Sequence, residues 1–189
     1  EENGIHKIDK NFLESLGVNT ATINPKKIKI FGHGGQMLSM QNHTNFPLDP
    51  IENSIKVFGE DDGSFDSEDY ILFYATGNEG YNAESDTNLN LYEDKISYFL
   101  SIGYEDGLRI NDMIEPIAES TLNINYYTNY KFYENDEYNL AKIGRRWFGD
   151  RFDFENEKTF QFEIENLIID RPVNLKITAA ATSEISTSM

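Results

Sequence analysis

The sequence predicts a mainly β fold: a small antiparallel β-rich domain with one minor helix, followed by the start of a β-sandwich. Three observations predict it. Aromatic residues make up 13% of the chain and are mostly Tyr and Phe, which suit pleated, half-buried surfaces. Short apolar runs alternate with polar residues at period two. Gly-rich and Asn/Asp-rich clusters separate those runs, as turns do between strands.

The elements follow in order. IHKIDKNFLESLGVN reads as a strand leading into a short helix. Asp9 supplies the N-cap, Phe12, Leu13 and Leu16 share one helical face, and Gly17 takes the left-handed stop. In NPKKIKIFGHGGQMLSM, Ile28 and Ile30 alternate with Lys27 and Lys29. Gly32 to Gly35 are expected to turn the chain so that Met37 onward pairs back as a hairpin. After a Pro-containing loop, 41–53, SIKVF is a strand, and DYILFYA is the most apolar strand and should be central. The stretch from Gly77 to Asp94 reads as a long polar loop. KISYFLSIG is a further strong strand, LRIND a candidate short one, and Met113 to Glu119 a helical turn around Pro116.

From Thr121, TLNINYYTNYKFYEND alternates as a strand with an aromatic face. ENDEYNLAKIGRRWFGDRF is the least strand-like stretch and reads as a turn or short helix with a loop. TFQFEIENLI and VNLKITAAATS then read as two strands joined across Asp170 to Pro172. The domain division expected is 1–152 for the β-rich domain and 153–189 for the first strands of an incomplete sandwich. The start at Glu1 rather than Met reads as a processed or trimmed chain, and the late strands as part of a longer one.

The 189 residues carry 16 basic and 33 acidic side chains, a net charge of −17. Such a charge repels phosphate backbones and anionic headgroups, which argues against general nucleic-acid or membrane binding and for divalent cations or a basic partner. With no cysteine, the chain has no catalytic Cys, disulfide or Cys-ligated metal. It shows neither a signal peptide nor a long apolar run.

The acidic stretch GEDDGSFDSEDYILFYATG holds six acidic residues between Glu60 and Asp69. Set against a calcium loop with Gly63 at the bend, Asp62, Asp66 and Asp69 fall on ligand positions. Phe58 falls on the first ligand position, and a strand rather than a helix follows, so an EF-hand is rejected. Two readings remain open: a looser calcium site on Asp62, Asp66 and Asp69, and a solvated turn in which Phe65 packs down. The turn is preferred.

His33 in FGHGGQ lacks a nucleophile or second ligand at useful spacing, so turn geometry explains it better than an oxyanion hole. His6 and His43 are isolated, and Asn42-His43-Thr44 is a three-residue glycosylation match. There is no G-x-S-x-G elbow, phosphate loop or G-x-G-x-x-G. The lone Trp147 stands beside Arg145 and Arg146. These three are candidates to stack on a sugar or peptide; the preferred reading makes Trp147 and Phe148 a plug between sheets, with the arginines tying down the acidic loop.

Taken in order, GIHKID, KIKIFGHGG, ENSIKVFGEDDGSFDSEDYILFYATG, LYEDKISYFL and YENDEYNL with GRRWFGDRF resemble one known region. This is the N-terminal, non-catalytic part of the sortase of the bacterial type IX secretion system, the PorU-type, gingipain-related cysteine peptidase family. The resemblance runs from about Gly4 to Phe152. It implies a cell-surface, outer-membrane-associated protein of a Gram-negative bacterium whose peptidase domain removes C-terminal sorting signals and transfers cargo to an anionic lipopolysaccharide. The implied partners are the chain's own downstream peptidase domain and an outer-membrane β-barrel shuttle protein. None of the family's catalytic residues maps here, since they belong to a Cys/His domain and this chain has no Cys. The alternative is a calcium- or carbohydrate-binding module of a bacterial surface adhesin; a stand-alone carboxylate hydrolase is a third reading, with no signature behind it.

Overall fold

The computed structural model describes residues 3–35, 37–42, 46–114, 122–140, 142 and 144–181. The chain divides into two compact units, Glu1–Ile117 and Ala118–Met189. The protein is mainly β, with small antiparallel sheets and one minor helix. Among the described residues no helix is long and apolar enough to cross a membrane.

The first unit opens as its sequence predicts. Strand β1 (Gly4–Asp9) runs into helix α1 (Lys10–Ser15). Asp9 caps the helix, its Oδ1 accepting from the Phe12 N–H at 2.9 Å, and Gly17 leaves it at φ +84°. Of the apolar face only Leu13 is buried; Phe12 and Leu16 are exposed, because one short helix can aim only one turn position into the core. Strands β2 (Ile28–Phe31), β3 (Glu52–Asn53) and β4 (Lys56–Phe58) follow, then β5 (Tyr70–Ala75). Next come β6 (Glu79–Asn82), β7 (Thr87–Leu89) and β8 (Phe99–Ile102).

One sheet has the order β1-β5-β4, so the DYILFYA strand is central, paired from Gly4↔Ala75 to Asp9↔Tyr70 and from Lys56↔Leu72 to Phe58↔Tyr70. A second has the order β3-β2-β8. Their facing side chains meet in one core: Ile71, Phe73 and Ala75 of β5 with Ile8, Val57, Ile28 and Ile30, closed by Leu13, Ile55 and Phe65. Each of these side chains larger than Ala75, removed from water, contributes about 1.5–3 kcal/mol. Among the described residues, the buried hydrophobic side chains all belong to this first unit.

Two expectations for this unit are corrected. The segment after Gly35 does not pair back onto β2; β2 pairs instead with β3 (Ile30↔Asn53) and β8 (Ile28↔Ile102). The glycines serve another purpose. A Cβ on Gly32 would meet the Tyr98 ring, one on Gly34 the Thr76 side chain, and one on Gly35 the Gly77 carbonyl. The FGHGG run is thus a place where neighbouring chain comes too close for a side chain, backbone at Gly35 and side chains at Gly32 and Gly34, rather than a hairpin turn onto β2. The polar stretch from Gly77 to Asp94 also carries structure, the β6–β7 hairpin. Its turn is built by Asn82, whose Oδ1 accepts from the N–H groups of Glu84 and Ser85, with Asp86 at φ +58°. LRIND contributes a parallel bridge, Ile55↔Arg109. The helical turn expected at Met113 to Glu119 lies mostly outside the described residues.

The second unit departs further from expectation. Its described residues form no strand, and the alternating runs from Leu122 and from Thr159 are not paired. Alternation specifies which side chains share a face but supplies no partner for the backbone. The turn near Asp170 is present, with the Arg171 N–H donating to the Ile168 carbonyl at 3.1 Å. The described residues of ENDEYNLAKIGRRWFGDRF form turns and loop, as expected, pinned by an antiparallel bridge between Tyr138 and Phe148.

Candidate functional site

The acidic stretch is a compact turn. Gly59 and Gly63, at φ +90° and +81°, flank a 3-10 turn at Glu60–Asp62. Only glycine takes such angles freely. The Asp62 Oδ1 accepts from the Ser64 N–H at 2.9 Å, and the Asp69 Oδ2 accepts from the Asp66 N–H at 2.7 Å. Phe65, 2% exposed, carries the turn into the core. Asp62 and Asp69 therefore each accept a backbone N–H within the turn. Among the described residues, no three acidic or histidine side chains converge as a metal-holding group.

What ties the turn down is Arg109, a residue the sequence did not single out. Its Nε donates to the Glu60 Oε2 at 2.9 Å. Its Nη2 donates to the Pro25 carbonyl at 2.9 Å, and its Nη1 to those of Ile28 and Leu108 at 3.3 and 3.2 Å. An isolated arginine in a short polar stretch gives no local signal for this; the link spans 49 positions of sequence.

His33 packs on Phe46, ring centroids 5.0 Å apart, and His6 on Phe73 at 5.7 Å. Both are ring contacts, not ligand geometry. His43 and Thr44 of the sequon lie outside the described residues. The FGHGG crossing makes a prediction. Ala at Gly35 would place its Cβ on the Gly77 carbonyl oxygen and 2.9 Å from Asn78 Cα, backbone that cannot swing aside. Gly35→Ala is expected to cost about 1–3 kcal/mol, measured as a lowered urea midpoint.

In the second unit Trp147 is 39% exposed, so it is no plug between sheets; Phe148, one step on, is the half-buried member that closes the loop. The Tyr138 and Phe148 backbones exchange hydrogen bonds at 2.7 and 2.8 Å. Bridge formation at Phe148 turns its neighbour outward, because successive side chains point to opposite faces. Arg145 and Arg146 immediately precede Trp147 in the loop that this bridge closes.

Two open clefts of about 460 and 470 Å³ lie nearby and share Asp150, Glu155 and Lys158. Lys158 Nζ donates to Asp150 Oδ1 at 2.8 Å, and the Tyr133 hydroxyl donates to the same carboxylate. These bonds hold the Asp150 carboxyl below its ordinary range and raise Lys158 and Tyr133 above theirs. Lys158 thus stays charged and Asp150 ionised at neutral pH, the opposite of what a lysine nucleophile or a carboxylic general acid requires. Asp136 is shifted the other way, upward, by burial and then by Glu134.

The pH dependence follows in sign. A lowered Asp150 contributes stability above the ordinary carboxylate value and loses it as pH falls through its folded value. A raised Lys158 contributes below its ordinary value and loses it as pH climbs through the folded one. Lys158→Met is expected to move the Asp150 titration upward, toward the ordinary carboxylate range, in an NMR pH titration of the carboxyl carbons. No upward movement would mean that Tyr133 alone sets the Asp150 value.

The arrangement across both units is one of turns, crossings and ion pairs that position backbone. Comparison of the chain with protein families, with curated proteins and with solved structures finds no match in any of the three.

Proposed function

We propose that this chain is a non-catalytic supporting or docking module of a cell-surface sortase of the type IX secretion kind, working by contact rather than by chemistry. One observation carries the reading: the segments on which the resemblance rests are spent on holding the fold. FGHGG is used for close approach to Tyr98, Thr76 and the Gly77 backbone, GEDDGSFDSEDYILFYATG for a glycine-framed turn and the central strand, and YENDEYNL with GRRWFGDRF for a pinned loop. The −17 charge fits a module that stays clear of anionic surfaces while presenting selected faces to protein partners. In this reading the partners are the peptidase domain of the same protein and the outer-membrane β-barrel shuttle protein, at the surface of a Gram-negative bacterium.

The test is a pull-down with the purified chain as bait and each of those two partners as prey. Retention of either is expected; retention of neither removes the sortase reading. A parallel melt with calcium and with chelator separates the adhesin alternative, since a ligand that binds only the folded state raises Tm. A calcium-dependent rise that vanishes in Asp62→Asn/Asp66→Asn/Asp69→Asn would assign the acidic turn to calcium instead.

A further inference from the structure

The sheet β1-β5-β4 buries one face in the core, and its other face breaks the usual rule. Antiparallel sheets that turn one side to water alternate apolar-in with polar-out. Here Ile71, Phe73 and Ala75 of β5 point inward, which sends Tyr70, Leu72 and Tyr74 outward. The registers add Ile5 beside Tyr74, Lys7 and Lys56 on either side of Leu72, and Phe58 beside Tyr70. Ile5 is 73% exposed and Tyr74 56%. Phe58 and Tyr70 stack at 4.5 Å, and the Lys7 ammonium stands 4.3 Å over the Tyr70 ring. The outer face is therefore an apolar strip along β5 with one lysine on each flank.

We propose that this face docks an amphipathic partner helix whose apolar stripe is bordered by acidic residues. The spacing fits. Lys7 and Lys56 sit two strand spacings apart, about 10 Å between backbones, which matches the diameter of one helix laid along β5. The charge fits as well. On a chain of net charge −17, this face offers lysines over apolar surface. Asp112 pairs with Lys56 at 2.8 Å but is itself 90% exposed, so its hold is weak and a partner carboxylate can replace it. Asp9, at the end of β1, is committed to the helix cap. A second copy of the chain would bring lysines against lysines, and a broad anionic bilayer would face the acidic remainder of the chain as well as the strip, whereas a single helix laid along β5 meets the two lysines first.

The proposal deepens the contact role inferred above and rests on that role, not on the sortase assignment. The test uses the whole ¹⁵N-labelled chain and a synthetic helical peptide with a leucine stripe flanked by glutamates, against the same peptide flanked by lysines. The glutamate peptide is expected to shift the amides of Ile5, Leu72 and Tyr74. Lys7→Glu/Lys56→Glu should weaken it by about tenfold or more and transfer preference at this face to the lysine peptide. Tyr74→Ser should weaken both, with melts showing that each variant folds. Shifts confined to other residues, or an affinity unchanged in Lys7→Glu/Lys56→Glu, would overturn the proposal. So would binding to phosphatidylcholine–phosphatidylglycerol vesicles, or self-association in sedimentation, that the same substitutions abolish. A failed pull-down with intact peptide binding would remove the sortase partners and leave this surface standing.

Discussion

Phe65→Ala is expected to destabilise the first unit by about 3–5 kcal/mol, the largest effect of any single truncation in the acidic turn. Phe65 is the one large apolar side chain between Gly59 and Asp69, and it is almost wholly buried in the cluster that joins the two sheets. Its removal opens a cavity and also releases a run of six acidic residues that has no other apolar anchor. For a domain of this size the midpoint should fall by roughly 12–20 °C in a thermal scan. Phe65→Leu, which keeps most of the volume, should cost about 1 kcal/mol. The contrast with Asp66→Asn decides what the turn is for. Asp66 is exposed, so its replacement should stay within about 0.5 kcal/mol. A larger loss from Asp66→Asn than from Phe65→Ala would mean that the carboxylates, not the aromatic anchor, organise the turn.

The features legible in the sequence were those that short-range chemistry dictates. Asp9 can cap only the residues immediately after it, Gly17 can stop only that helix, and the Phe65 side chain needs no distant partner to be recognised as the turn's anchor. The centrality of β5 was legible because its apolar run is the densest in the chain. The partners of β2 were not. Ile30↔Asn53 and Ile28↔Ile102 are choices among strands distant in sequence, and nothing local to Ile28 ranks them. FGHGG misled for a related reason. Glycine serves both as a turn residue and as the residue that lets two backbones touch, and only Gly34 of the three has a positive φ. In the second unit the alternation from Leu122 was plain, yet alternation carries no information about what pairs with it. Trp147 drew attention through its rarity, whereas Tyr133, Asp150 and Lys158 became a group only when the chain brought together residues 8 to 25 positions apart.

Arg109 is the sharpest case of a residue invisible in sequence and central in space, and it carries the second large expectation. Arg109→Ala should cost about 2 kcal/mol or more. The side chains of Arg109 and Glu60 are 20% and 22% exposed, so water can replace only part of what is lost. Truncation strands the Glu60 carboxylate next to Asp61 and Asp62, and leaves the Pro25 and Ile28 carbonyls without their guanidinium donors. Arg109→Lys keeps the charge but not the planar fork that reaches carboxylate and carbonyls at once, so it should recover less than half of the loss. Hydrogen exchange supplies the local readout. The amides of Ile55 and Ile110, which bond across to Leu108 and Ile55, should exchange faster in Arg109→Ala than those of β1, which pairs on the far side of β5. Pairing the substitution with Glu60→Gln tests the coupling. If the ion pair organises the turn, the double variant should be more stable than the sum of the two single losses predicts, because each single change already forfeits the shared bond. Strict additivity would place the loss in the carbonyl contacts instead, making Arg109 a clamp on the entrance to β2 with the acidic turn merely resting against it.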